Sequence, residues 1–306
     1  MQLGISITSG YQGQSDRDVT RWVIERARAA ADAGLDHLTL GDHHATGPRT
    51  AYVQNVPALG RIMAEWPSDR PIGLLLLLPL WNPVLAAEQI GTLAGLTDAS
   101  FIVQTGIGGG AQQFAAMGAD LSTRGRSTDR AIDMMKRLFA GETVDDPDLG
   151  VTGASIRPRP SQPIEWWIGA GATPVAIDRA AREGDAWYVS PDLDEPQLES
   201  AVSAYRQACE RFGTTPRIAL RRDLLVGDDH DATVRLARSV IDAGYRGLDR
   251  QVIAGGVEQV AERLASFSAI GIDDIVARTI TVDQPVALQS IGLLGHVRSV
   301  LADLTS

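Results

Sequence analysis

Three short stretches of this chain carry residue types that can do chemistry. They are Gly41-Asp42-His43-His44, the glycine-rich run from Gly106 to Gln113, and Gly169-Ala170-Gly171-Ala172-Thr173-Pro174. In the first, an imidazole can donate to a ligand carbonyl or relay a proton near neutral pH, and an adjacent carboxylate can fix its tautomer. The plainer alternative is an aspartate that caps a loop beside two solvated imidazoles. A metal site at His43 and His44 is disfavoured, because neighbouring residues on extended backbone point apart and the other histidines lie in unrelated contexts. In the second stretch, glycines from Gly106 onward let the backbone approach a flat ring or a phosphate closely. It fits the dinucleotide fingerprint only loosely, a plain turn explains it as well, and Gln112 or Gln113 could offer an amide to a ring edge. The third stretch sets small residues before a proline at a first helical position. That exposes backbone N–H groups at the positive end of a helix, the geometry of an anion site. An ordinary tight strand-to-helix loop is the alternative there.

These stretches need elements to position them, and the hydrophobic pattern supplies an alternation of short apolar runs and amphipathic stretches. Strands are predicted over 3–8, 37–41, 72–78, 101–105, 164–168, 186–190, 217–226 and 275–280, with helices at 126–139, 174–183, 197–212, 232–243 and 256–270 among others. Eight strands each followed by helix predict an α/β fold, a (β/α)8 TIM barrel, rather than an open doubly wound sheet. The barrel is expected to form a single domain over 1–306, with an irregular insertion (141–163) between strands four and five. In such a barrel chemistry sits where strands end at the C-terminal face, and all three stretches fall there. Tyr11 and Trp81 also fall at strand ends and are candidates for pocket walls, whereas Trp166, Trp167 and Trp187 read as core.

Composition narrows the function classes. With 44% hydrophobic residues the chain can bury a sizeable core, so disorder is excluded. A net charge of −10 argues against nucleic acid or an anionic membrane surface as partner. The longest apolar run, 72–81, is too short to span a bilayer and contains Pro79. A single cysteine, Cys209, cannot form an internal disulfide, and no Cys/His cluster has zinc spacing. The N-terminal stretch lacks a basic region before an apolar one, so no signal peptide is read and a reduced, cytoplasmic setting is expected.

Four segments together resemble the luciferase-like monooxygenase superfamily, the barrels of bacterial luciferase and of the deazaflavin (F420)-dependent oxidoreductases. They are ADAGLDHLTLGDHHA, IGLLLLLPLWNPVLAAEQIGTLAGLTDASFIVQTGIGG, MGADLSTRGRSTDRAIDMMKRLFAGE and PIEWWIGAGATPVAIDRAAREGDAWYVSP, in family order. The resemblance implies a flavin or deazaflavin across the barrel mouth, a small-molecule substrate and a homodimer. It puts Asp42 and His43 over the reactive ring as catalytic residues. Leu75 and Leu76 fall on a bulge behind the ring, with a cis peptide expected between them. Gly169, Ala170, Gly171 and Ala172 fall on the backbone that meets the cofactor phosphate, and Gln112 on a ring-contacting amide. The Asp-His pair, where luciferase-like FMN enzymes carry Glu-His, favours F420. Arg49, Arg124, Arg126, Arg157 or Arg159 could attract its glutamate tail. FMN with O2, or a barrel that has lost catalysis, are the alternatives. One departure matters. F420-dependent sugar-phosphate dehydrogenases carry an acid where this chain has Gly109, and their phosphate-binding lysines have no counterpart beside the single Lys136.

Overall fold

A computed structural model describes residues 1–245 and 251–305. The chain forms the expected closed (β/α)8 barrel. Its eight strands are β1 (Gln2–Ile7), β2 (Leu38–Leu40), β3 (Ile72–Leu77), β4 (Phe101–Gly106), β5 (Ile164–Ala170), β6 (Ala186–Val189), β7 (Ile218–Val226) and β8 (Asp274–Thr279). Each pairs in parallel with the next, and β8 returns to β1. One extra strand, Ile253–Gly255, extends the outer edge of β7. The sequence pattern does not mark it.

Outside the barrel the helices bury one stripe each. Helix α1 (Asp16–Asp32) buries Val19, Val23, Arg26, Ala27 and Ala30, a helical spacing, and Ser15 caps its start by accepting from the Asp18 N–H. Helices α2 (Asn55–Ile62), α3 (Pro83–Ala94), α4 (Ala111–Ala116), α5 (Arg124–Ala140) and α6 (Pro174–Glu183) follow in turn. The connection from β4 to β5 holds α4, α5 and a two-stranded ribbon, Val144–Asp146 with Val151–Ala154. A second ribbon, Gly10–Gln12 with Thr50–Tyr52, ties the loop after β1 to the loop after β2. Among the described residues no helix is long and apolar enough to cross a membrane.

The barrel axis is filled in layers, which decides where an opening can be. At the N-terminal ends of the strands Arg217 donates to both oxygens of Asp274 (2.8 and 3.2 Å) and to Glu165 (2.8 Å). Above that ion cluster lie Trp167, Ile102, Ala186, Ala219 and Val276. His37 packs edge-on against Trp167, with ring centroids 5.0 Å apart. Full burial holds the His37 pKa below its ordinary value, so the ring is neutral. Glycine permits this packing, beside the His37 ring on β1 and at the close approach of β3 to β4. A Cβ at Gly4 would stand 2.2 Å from the His37 ring, and one at Gly73 only 1.9 Å from the Ile102 carbonyl oxygen. The lower half is therefore closed, and polar side chains collect at the upper end.

Candidate active site

At the upper end two clefts adjoin. One, about 310 Å³, has Asp42, His43, Leu75, Gln104, Gln113 and Arg278 on its walls. The other, about 260 Å³, runs past Gly106, Gly169, Ala170, Gly171 and Arg179. Leu75, Tyr188 and Arg221 line both, so the two clefts form one crevice.

The corner after β2 is built on Asp42, which is 2% exposed. Its Oδ2 accepts from the Leu77 backbone N–H (2.7 Å) and from Trp81 Nε1 (2.8 Å). Its Oδ1 stands 3.0 Å from His44 Nε2. One carboxylate thus ties β3, the loop beyond it and His44 to the end of β2. The aspartate therefore stands against the histidine two positions further along the chain, not its immediate neighbour. His43 instead stacks on Tyr52 of the ribbon, centroids 4.0 Å apart and planes 16° from parallel. Gln54 Nε2 donates to the His43 carbonyl and Gln113 Nε2 to the His44 carbonyl, each at 2.9 Å. Directly beyond, Ala45 takes a φ of 46°, a left-handed conformation unfavourable for a residue with a Cβ.

The turn after β5 is open in a way that suits a ligand. A Cβ added at Gly171 would meet nothing within 4 Å, whereas one at Gly169 would stand 2.1 Å from the Thr105 carbonyl oxygen. Gly169 is thus required by strand packing, and Gly171 leaves free space above its backbone. Thr173 precedes α6 without making a side-chain cap, and Pro174 occupies the first turn. The first N–H groups of α6 therefore lack the usual side-chain acceptor. Arg179, one helical turn on, is fixed by donating to Asp129 (2.6 Å) and to the Gly125 carbonyl (3.2 Å).

The structure gathers Asp42, His43, Leu75, Gly106, Gly169, Ala170 and Gly171 on this crevice, and leaves three expected residues off it. Leu76 is 1% exposed and packs outward against the helices, because alternation along β3 turns Leu75 and Leu77 inward. Gln112 is exposed, and the next residue, Gln113, faces the cleft. Ala172 is exposed and lines neither cleft. The expected bulge and cis bond at Leu75–Leu76 are absent. The strand runs in unbroken register, Leu75 opposite Gln104 and Leu76 opposite Thr105, and the cis peptide found among the described residues is Arg157-Pro158. An extended strand paired at each step needs no kink.

Other groups at the crevice escaped the sequence reading. Arg221 and Asp223 of β7 and Arg278 of β8 are all under 10% exposed. Arg221 Nε and Nη2 donate to the two oxygens of Asp223 (2.8 and 2.9 Å), and the Tyr245 hydroxyl donates to the same carboxylate at 2.6 Å. Burial lowers the Arg221 pKa, but the charges of Asp223 and Tyr188 outweigh that and the net displacement is upward. The signal was present: Arg-Arg-Asp in the middle of an otherwise apolar strand is anomalous for a buried barrel strand.

With this geometry in hand, the chain can be set beside known proteins. A family model described as luciferase-like monooxygenase matches residues 1–246. An F420-dependent glucose-6-phosphate dehydrogenase of Kribbella flavida is 26% identical over 224 residues, 69% of this chain. The alignment spans 66% of that relative's length, just under two thirds. Among solved structures, an F420-dependent secondary alcohol dehydrogenase in complex with an F420-acetone adduct superposes with a TM-score of 0.78 at 15% identity, covering 98% of each chain. The oxygenating constituent of 3,6-diketocamphane monooxygenase from Pseudomonas putida, in complex with FMN, gives 0.79 at 17% identity, covering 97% of this chain and 98% of that one. At such identities these two likenesses speak for the fold alone.

Proposed function

The chain belongs to the luciferase-like monooxygenase family, and from that premise we propose that it is an F420-dependent oxidoreductase acting on a small organic substrate. Hydride would pass between the deazaflavin and that substrate. The observation that carries this reading is the convergence of the Asp42-His43 corner and the Gly171 turn on one crevice, with Leu75 as their shared wall.

The residues present fit such a cofactor. The open space over Gly171 and the uncapped first turn of α6 would take its phosphate on backbone N–H groups. Leu75 would carry the ring, and Gly106 keeps the adjacent backbone free of side chain. When bound, the deazaflavin supplies the carbon that gives or takes a hydride. The chain's own part is to place the substrate and to handle its proton. His43, held flat by Tyr52, would take up or return the proton of the reacting hydroxyl or carbonyl. Asp42 acts as a positioning residue through Leu77, Trp81 and His44.

The Kribbella relative is named for F420, which supports that cofactor. Its sugar phosphate is a different matter. Gly109 offers no acid, and the single lysine, Lys136, is engaged by Glu183 at 3.0 Å, away from the crevice. The same reading takes 1–306 as one barrel domain per subunit of a homodimer.

A second reading, an FMN-dependent monooxygenase using O2, fits the same open phosphate turn equally well. Fluorescence titration of the purified protein with each separates them. We expect F420 to bind at least about tenfold more tightly than FMN, a difference of ~1.4 kcal/mol. Tighter FMN binding would replace the first reading by the second, and binding of neither would point to a barrel without cofactor chemistry.

A further inference from the structure

Two side-chain amides line the crevice among the described residues, and they differ. Gln113 is tied down, its Nε2 donating to the His44 carbonyl at 2.9 Å. Gln104 is 1% exposed, and its Nε2 lies buried with no hydrogen-bond partner among the described residues.

Packing alone does not call for an amide at this position. Alternation along β4 turns Ile102, Gln104 and Gly106 inward in succession, and Ile102 belongs to the apolar layer around Trp167. A leucine would continue that layer and leave nothing to satisfy. A buried amide without a partner has instead given up its hydrogen bonds to water for none in return. Buried polar groups are partnered as a rule, so the exception asks what Gln104 binds. It lines the same cleft as Asp42, His43 and Leu75.

Its place in the barrel narrows the answer. Gln104 stands directly opposite Leu75 in the register of β3 with β4. In the closed ring of eight strands β3 and β7 face each other, four strands apart by either path. A cofactor ring lying against Leu75 therefore turns its uncovered face, where a substrate would stack, toward β7 and Arg221. Gln104 is beside the ring instead, on the wall that carries it. A carboxamide offers a donor and an acceptor side by side, and a half-turn about its last bond exchanges them. Its complement is an edge on which a carbonyl adjoins an N–H. A deazaflavin has that pattern at its pyrimidine end, whereas its other end carries a lone phenolic oxygen.

We propose that Gln104 recognises the pyrimidine edge of the cofactor ring, its amide pairing with a ring carbonyl and the adjoining N–H. It thereby fixes which end of the ring lies against β4. This rests on the cofactor reading above, which puts the ring on Leu75, and goes beyond it in assigning the ring's orientation to one side chain.

Thermal melting and fluorescence titration of wild type and Gln104→Leu test it. Leucine fills the position without polar atoms, so the cofactor-free variant should melt no lower than wild type. Its affinity for F420 should fall at least about tenfold, the scale of a buried polar edge left unpaired. The phosphate-free deazaflavin nucleoside and its N3-methyl derivative then read the edge itself. Wild type should prefer the unmethylated form at least about tenfold, and Gln104→Leu should bind the two alike. Unchanged F420 affinity in the variant, equal binding of the two nucleosides by wild type, or a preference that survives in Gln104→Leu overturns the proposal and leaves the cofactor reading standing. A large fall in the melting temperature of the cofactor-free variant would assign Gln104 to the fold and overturn it as well. Failure of F420 to bind wild type would sink the cofactor reading, and the proposal with it.

Discussion

His43→Ala should lower turnover by about 10²-fold or more, the usual scale for a general acid–base group, with cofactor affinity changed far less. The imidazole lies parallel to Tyr52 at 4.0 Å, and its own carbonyl is fixed by Gln54, so the ring enters the reaction already oriented. The anchors that run through Asp42 to Leu77, Trp81 and His44 remain after truncation. The effect should therefore appear in the chemical step. Loss of deazaflavin absorbance in a single turnover reads it directly, and the titration described above reads the affinity. Full activity in the variant would remove His43 from the mechanism. His44→Ala is the informative companion, since a larger loss there would move the proton to the histidine that Asp42 holds.

Gly171→Val should weaken cofactor binding by more than about tenfold while leaving the circular dichroism and thermal midpoint of the protein unchanged. A Cβ there meets nothing within 4 Å, so the fold has no objection to it. The branched side chain would occupy the space in which the phosphate would lie against the backbone. Gly169→Val is the contrasting control. Its Cβ would stand 2.1 Å from the Thr105 carbonyl oxygen, and the loss should appear as instability. Unchanged cofactor affinity in Gly171→Val would place the phosphate elsewhere.

The barrel was legible in the sequence because each strand is a run of apolar residues bounded by turn chemistry, and each helix repeats its apolar stripe. The strands that went unseen, Gly10–Gln12, Thr50–Tyr52, Val144–Asp146, Val151–Ala154 and Ile253–Gly255, have three or four residues each, too few to show a period. The first two join across the mouth and carry Tyr52 to His43, so the site's wall came from pairing that only the closed structure reveals. Residue type was readable at the site and facing was not. In a row of five leucines no alternation shows which of Leu75 and Leu76 turns inward, and pairing opposite Gln104 and Thr105 decides it. Of two adjacent glutamines, the phase of the short α4 selects Gln113. Asp42 reaches His44 because the chain bends after β2, which no sequence spacing encodes. The charged triplet in β7 was the one clear signal left unread.

The central claim is that one crevice holds the cofactor, phosphate at the Gly171 turn and ring on Leu75. A crystal structure of the protein grown with F420 tests it most directly. The account predicts the phosphate within hydrogen-bonding distance of the backbone N–H groups around Gly171 and the first turn of α6, one ring face on Leu75, and His43 and Arg221 on the open side. A phosphate held anywhere else, or a ring lying outside the crevice, would contradict it.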